Sequence, residues 1–144
     1  MVTGALIVEQ NEHRYPSYFP DNCPPEEATD EEKLLFRLCS GSELTENDFI
    51  SWYNKDPVKW ANNVQAYGLS VLESKEDCDS ARKKNAKLRA QYPFCASGKN
   101  NSDRGKILNT PSKTNPRHFT WWVYEGVKPH TFFEICTEGS GNNG

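Results

Sequence analysis

Apolar residues recur at helical spacing in the first part of the chain, between clusters of polar and capping residues. Thr29–Glu32 has the form of a capping box, with acids that suit a helix N-terminus. Leu34, Leu35 and Leu38 then follow at helical spacing. The run 34–39 is also apolar enough for a buried strand, which leaves the end of this element open. We predict four helices, over residues 29–40, 45–55, 57–67 and 75–91.

Capping residues and breakers mark the boundaries of the later helices. Thr45 and Ser74 each precede an acid by three residues, as an N-cap residue does. Pro57 suits the first position of a helix, and Gly68 suits the position just after one. Pro93 ends the last predicted helix, because the residue before a proline is disfavoured in helical conformation.

The chain beyond residue 92 alternates short apolar runs with polar loops, which is typical of an antiparallel sheet. In the longest run, Phe119, Trp121 and Val123 share one face, while His118, Thr120, Trp122 and Tyr124 share the other. We predict strands over residues 69–73, 94–97, 106–108, 117–124 and 131–136. N-terminal helices packed on this mostly antiparallel C-terminal sheet make an α+β fold.

The two ends of the chain differ from the middle. Residues 1–28 are rich in proline and aromatic residues and read as an extended arm, in which residues 5–8 could add a short strand. Residues 137–144 offer no anchor and read as a flexible tail. The expected organisation is therefore an arm, a single domain over residues 29–136, and a tail.

The composition excludes several classes of protein. The chain has 144 residues, a mean hydropathy of −0.83, and no apolar run near the roughly 20 residues that a membrane span needs. Its early apolar run, residues 5–8, is too short for a signal peptide, so a cytoplasmic location is expected. The five cysteines are scattered without the close pairs of a zinc site and read as free thiols. No metal is expected.

The charge pattern bears on possible partners. Seventeen basic against 20 acidic residues give a net charge of −3, which makes nucleic acid an unlikely partner. A basic helix surface could still contact phosphates, although a solvated helix face gives the same pattern. The basic residues of that surface are Lys83, Lys84, Lys87 and Arg89.

One strand carries the candidate chemistry. His118 could act as an acid, a base or a hydrogen-bond donor on the wet face of a cleft, or it could be a satisfied histidine on the outer face. Trp122 and Tyr124 share its face and could form a ledge that stacks a base or a nicotinamide. With Trp121, they are the predicted binding residues.

Three segments together carry a resemblance to known proteins. Residues 35–38, 67–72 and 118–122 are similar in order to small uncharacterised bacterial proteins with an arginine segment, a Gly-Leu-Ser strand and a His-aromatic strand. More loosely, an arginine on an early strand and a serine on the next resemble the ADP-ribosyltransferases of the Arg-Ser-Glu type. That resemblance implies NAD binding at Arg37 and Ser70, with Glu134 or Glu138 as the catalytic acid.

Two functions follow as expectations. The first is a non-enzymatic accessory, inhibitor or immunity-type protein of a bacterial or phage conflict system (defence or toxin–antitoxin), which binds another protein through aromatic residues and needs no cofactor. The alternative is a small NAD-using, ADP-ribosyltransferase-like toxin or nucleotide-modifying enzyme, in which Arg37, Ser70 and His118 would be catalytic. RNA binding is a third and weaker option.

Overall fold

The computed structural model describes residues 13–136, and every structural statement below concerns that part of the chain. The suggested strand at 5–8, the first twelve residues of the predicted arm, the predicted tail and Glu138 lie outside it. Within it the chain forms one six-stranded antiparallel sheet and four short α-helices, so the α+β class is confirmed.

The strands form a single sheet in the order β4-β5-β2-β1-β3-β6. They are β1 (Lys33–Cys39), β2 (Leu69–Leu72), β3 (Phe94–Asn100), β4 (Gly105–Asn109), β5 (His118–Val123) and β6 (Glu134–Ile135). The helices are α1 (Trp52–Lys55), α2 (Pro57–Trp60), α3 (Lys75–Lys84) and α4 (Ala86–Gln91). Short 3-10 turns cover Glu46–Phe49, Val64–Tyr67 and Pro129–Thr131.

The first predicted helix is wrong, because residues 33–39 form strand β1. This strand pairs with β3 at seven positions and lies near the centre of the sheet. Leu35 and Cys39 are fully buried on one face of the strand, as the two-residue period of a strand requires. Pairing with β3 stabilises this conformation more than the capping residues stabilise a helix. The helices therefore alternate with the first three strands instead of preceding the whole sheet.

The other predicted helices exist as shorter pieces. Residues 45–67 form two 3-10 turns and two single-turn helices, and residues 75–91 break at Asn85, whose side chain caps α4. Several local signals are confirmed, including the reciprocal capping box of Thr45 and Asp48 and the proline at the start of α2. Among the strands, β3 extends to Asn100, beyond the predicted end at 97.

The main core lies on one face of the sheet. It includes Leu35, Val71, Ile107, Trp121 and Phe133, all buried. The opposite face carries two smaller clusters, one beneath α3 around Leu72, Cys78 and Cys95, and one beneath the arm around Cys23, Ala28, Tyr67 and Trp122. The described part of the arm, residues 13–28, is thus packed onto the domain. The space between the two smaller clusters is where the candidate site lies.

All five cysteines lie in the described part of the chain and are free thiols, as expected. Four are buried, and the Sγ atoms of Cys95 and Cys136 lie 4.0 Å apart. Burial raises the pKa of the Cys23 and Cys39 thiols to about 12. No helix among residues 13–136 is long and apolar enough to cross a membrane.

Candidate functional site

A cleft opens where strands β1 and β2 diverge. These two strands share one paired position, Phe36 with Leu72, whereas β1 pairs with β3 at seven positions and β2 pairs with β5 at four. The divergence leaves the backbone of β2 near Ser70 without a strand partner on that side. The cleft at this point has a volume of about 460 Å³, within the range typical of small-molecule sites.

Two walls enclose the cleft. One consists of residues from the 46–49 turn and α1, including Asn47, Trp52 and Lys55. The other consists of residues from α3, α4 and the loop 110–117. A bidentate ion pair between Arg117 and the buried Asp77 fixes that loop to α3, with an Nη2–Oδ1 distance of 2.8 Å. Hydrogen bonds from Arg117 hold the pKa of the Asp77 carboxyl below its ordinary value.

Arg37 crosses the gap between the diverging strands. Its Nε donates to the backbone oxygen of Asp48 at 2.7 Å, and its Nη1 donates to the backbone oxygen of Ser70 at 2.7 Å. It forms no ion pair with a carboxylate of the described residues. Burial lowers the pKa of its guanidinium from the ordinary value, but an arginine remains charged in proteins. The cleft therefore contains a cation that no carboxylate neutralises.

The one carboxylate of the described residues that lines the cleft already has hydrogen-bond partners. Asp48 lines the cleft, but its Oδ2 accepts from the Thr45 amide at 2.9 Å and its Oδ1 from the Ser40 amide and hydroxyl at 3.4 and 3.3 Å. These bonds cap a turn. Lys55 also lines the cleft, so the described lining has two cations, Arg37 and Lys55, and one carboxylate that already has hydrogen-bond partners. The excess of positive charge favours an anionic ligand.

His118 presents to the cleft one ring nitrogen that has no hydrogen-bond partner among the described residues. Its Nδ1 lies 2.9 Å from the backbone oxygen of Thr110 and 3.0 Å from the Thr110 hydroxyl, which in turn lies 2.8 Å from the Thr120 hydroxyl. A carbonyl oxygen can only accept, so Nδ1 carries the proton of the neutral ring. Nε2 then holds a lone pair and has no hydrogen-bond partner among residues 13–136. Because His118 lines the cleft, this nitrogen can act as a base there.

We expect His118 to be neutral at physiological pH, with its proton on Nδ1. Burial lowers the pKa of this imidazole from its ordinary 6.5, and the hydrogen bond to Thr110 opposes that shift. Since the folded state binds the proton less readily than the unfolded state, this residue's contribution to stability falls as the pH drops below 6.5. Long-range ¹H–¹⁵N correlation spectra should show an unprotonated Nε2 and a midpoint below 6.5. A midpoint above that value, or a proton on Nε2, would contradict the assignment.

Ser70 and Gly68 bring β2 into the site. The Ser70 side chain is exposed and lines the cleft, and its hydroxyl has no partner among the described residues. Gly68 precedes it at a close approach to β5, where a Cβ would lie 2.5 Å from Cγ2 of Thr120 and 3.1 Å from the Trp121 oxygen. Glycine therefore allows β2 to start against β5. Arg37, Ser70 and His118, singled out in the sequence, line one cleft.

The predicted aromatic ledge requires correction. Trp121 and Trp122 are both 0% exposed, and Tyr124 is buried, so no ligand reaches these three rings. Trp122 lies on the predicted face of β5, but the arm covers that face at this position. Its Nε1 donates to the backbone oxygen of Val64 at 3.1 Å. The exposed ring at the cleft is Trp52 instead, at 50% exposure.

The remaining predicted residues lie at or beyond the margin of the cleft. Lys83, Lys84, Lys87 and Arg89 are exposed on α3 and α4, whose residues Ala81 and Leu88 line the cleft. Glu134 is exposed on edge strand β6 and does not line it. No glutamate among residues 13–136 lines the cleft. The described part of the chain therefore places no glutamate at the cleft that could serve as the catalytic acid of an ADP-ribosyltransferase.

Sequence reasoning missed several residues of the site. Lys55 and Tyr92 line the cleft, as do Ser112, Thr114 and Asn115 of the loop 110–117, which had been read as a polar connection. The spacing of Trp52 and Lys55 on one helical turn was the available signal, and the Lys55 Nζ indeed lies 4.8 Å from the Trp52 ring centroid. In the described chain, no three His, Cys, Asp or Glu side chains are grouped to hold a metal ion.

Neither a protein-family model, nor a curated protein sequence, nor a solved structure matches this chain.

Proposed function

We propose that the cleft binds NAD or a closely related nucleotide and uses His118 as the base of a group transfer, in the manner of an ADP-ribosyltransferase-like enzyme. One observation carries the proposal. Arg37, Ser70 and His118, which come from three strands far apart in the sequence, line one cleft, and Arg37 is a cation there without a carboxylate partner.

The residues of the cleft fit the chemistry of such a ligand. The guanidinium of Arg37 and the ammonium of Lys55 suit the two negative charges of a pyrophosphate. The hydroxyl of Ser70 is free to bond a ribose or an amide. Together these groups supply charge and hydrogen bonding within about 460 Å³.

The proposed transfer breaks the bond between the nicotinamide nitrogen and C1′ of the ribose and forms a bond from C1′ to an acceptor nucleophile. Nicotinamide leaves with the electron pair of the broken bond. The acceptor loses a proton as it attacks, and Nε2 of His118, which has a lone pair, receives it. The base of this reaction is thus a histidine on β5, in a cleft that contains no glutamate of the described chain.

We expect NAD to raise the melting temperature of the protein. A ligand at a hundred times its dissociation constant stabilises the folded state by about 2.7 kcal/mol, which corresponds to several degrees for a domain of this size. Arg37→Gln should abolish the shift, and Ser70→Ala should reduce it without disturbing the fold, since the Ser70 hydroxyl is exposed. His118→Ala should stop the release of nicotinamide, measured by chromatography, and relieve any growth arrest caused by expression.

The matched control is Arg14→Gln. Arg14 is exposed on the arm, where its Nε lies 3.5 Å from Oε1 of Glu125, and it does not line the cleft. This variant should keep the full NAD shift. If NAD leaves the melting temperature of the wild-type protein unchanged, or if Arg14→Gln and Arg37→Gln lose the shift equally, the proposal fails.

The non-enzymatic interaction function is the second candidate, and one surface favours it. Val58 is 92% exposed on α2, and the half-exposed Trp52 lies on the preceding helix. Exposed apolar side chains close together are typical of contacts with another protein. This function would become the better supported of the two if NAD gave no shift.

A further inference from the structure

Basic residues are concentrated in one segment of an otherwise acidic chain. Residues 80–124 contain ten lysines and arginines and a single acid, Asp103. The rest of the chain holds seven basic and nineteen acidic residues. The net charge of −3 therefore hides a strongly basic region, and the argument from total charge against an anionic polymer does not apply to that region.

The fold brings part of this segment to the rim of the cleft. Helices α3 and α4 and the loop 110–117 form one wall. The Nζ of Lys84 donates to the backbone oxygen of Thr114 at 3.5 Å, so it extends from α3 across to the loop at the cleft margin. Lys113 is exposed between Ser112 and Thr114, which both line the cleft. Two lysines, Lys84 and Lys113, thus lie at this rim.

These rim cations have no carboxylate partner among residues 13–136. Lys84 and Lys113 form no ion pair with the described residues, and neither do the neighbouring exposed residues Lys83 and Lys87. Exposed lysines without carboxylate partners are available to contact the phosphates of a nucleic-acid backbone. Unlike the paired lysines elsewhere, they would release counterions when a polyanion binds.

The opposite wall offers a stacking surface. Trp52 is 50% exposed there, and the Nζ of Lys55 lies over one face of its ring, 4.8 Å from the centroid, which leaves the other face for a base. A single-stranded nucleic acid needs this combination of cations along the backbone and an accessible ring for a base, because every base has a face that stacks. An acidic protein segment would use the cations but has no general need for the indole.

We infer that the cleft rim binds single-stranded nucleic acid, with backbone phosphates along Lys84 and Lys113 and a base on Trp52. This inference rests on the proposed function, because it identifies a nucleic acid as the acceptor of the proposed transfer. The strand would then lie with one nucleotide over the cleft, within reach of His118.

The test is fluorescence anisotropy with a labelled oligouridylate of about 12 nucleotides, a length within known single-strand site sizes. No NAD is added, so a failed NAD shift and a failed oligonucleotide interaction remain separate results. With four phosphates contacted and a slope near −0.7 for each, affinity should fall about fifty-fold between roughly 50 and 200 mM salt. The double charge reversal Lys84→Glu with Lys113→Glu should weaken binding at least about tenfold at the lower salt and flatten the slope.

The matched control is Lys99→Glu with Lys128→Glu, which changes the net charge equally. Both lysines are exposed, both are ion-paired, to Glu32 and Glu46, and neither lines the cleft. Melting curves establish that both double variants are folded. Trp52→Ala should also weaken binding, whereas it should not change the salt slope, because an indole releases no counterions.

Several results would overturn the inference. Equal loss in the two double variants would indicate general attraction, and tight binding of the oligonucleotide by the rim variant would exclude the rim. Polyglutamate that binds as tightly as oligouridylate, with the same sensitivity to Lys84 and Lys113, would identify an acidic protein partner instead. A deoxyribose strand of equal length distinguishes RNA from DNA as the source of the phosphates, and a duplex that binds more tightly than either strand would exclude single-strand recognition.

Discussion

Trp121→Ala is expected to lower the free energy of unfolding by about 4 kcal/mol, within the range of about 3–5 kcal/mol for a buried tryptophan. The Trp121 side chain is 0% exposed, and its ring centroid lies 5.6 Å from that of Phe133. Its Nε1 donates to Oδ1 of Asn100 at 2.8 Å, so the substitution also leaves a buried acceptor unpaired. Urea denaturation followed by circular dichroism measures the loss.

Trp52→Ala is the matched control for that experiment, because it deletes the same side chain from a half-exposed position. It should cost less than about 1 kcal/mol, as surface substitutions usually do. Equal losses for the two variants would mean that Trp121 does not occupy the main core.

Asn100→Leu should destabilise the fold by a similar amount, about 3–5 kcal/mol, for a different reason. Asn100 is fully buried, and its Nδ2 donates to the backbone oxygens of Glu31 and Gly105, each at 3.0 Å. Leucine has the same number of side-chain heavy atoms but leaves these two oxygens and the Trp121 Nε1 unpaired, and at about 1–3 kcal/mol for each group the loss is at least about 3 kcal/mol. The amide joins the segment before β1, the start of β4 and β5, so its loss removes contacts to all three.

Asn62→Leu is the control, since Asn62 is exposed and makes no hydrogen bond among the described residues. It should stay within about 0.5 kcal/mol of the wild type. A cycle that combines Asn100→Leu with Trp121→Phe should show losses that do not add, because both changes break one shared hydrogen bond. Strict additivity would argue against that bond.

Local signals in the sequence predicted local structure well. The capping box at Thr45, the proline at the start of α2 and the N-cap at Ser74 are all observed. The opposite faces of Phe119 and Thr120 on β5 also follow directly from the pleat of a strand. These features depend on residues within a few positions of one another.

The central strand could not be predicted in this way. Thr29–Glu32 imitates a helix start, yet residues 33–39 form β1, because pairing with β3 about sixty residues later in the chain outweighs local propensity. The exposure of the tryptophans is equally hard to predict. No neighbouring residue in the sequence indicates that the arm covers Trp122 or that Trp52 stays exposed. Side-chain burial depends on which distant segment packs on it.

The candidate site was predictable in its members but not in its geometry. The resemblance to ADP-ribosyltransferases indicated Arg37 and Ser70, the aromatic strand indicated His118, and all three line the cleft. Their proximity depends on the strand order, in which β2 lies between β1 and β5. For Lys55 the only signal is its spacing from Trp52 on one helical turn, and the loop 110–117 carries none, since exposed lysines and polar loops are common everywhere.

The single paired position between β1 and β2 is the weakest backbone pairing between the two halves of the sheet. The ladder β4-β5-β2 and the ladder β1-β3-β6 are each paired internally at more positions, while Phe36 and Leu72 alone join them in register. Side chains supply the rest of the connection: the main core spans both ladders, and Asn100 of β3 bonds Gly105 and Trp121 of the other ladder. Arg37 belongs to one ladder and donates to the Ser70 oxygen of the other. A ligand that engages this guanidinium would therefore bind at a junction that side chains, more than backbone pairing, hold together.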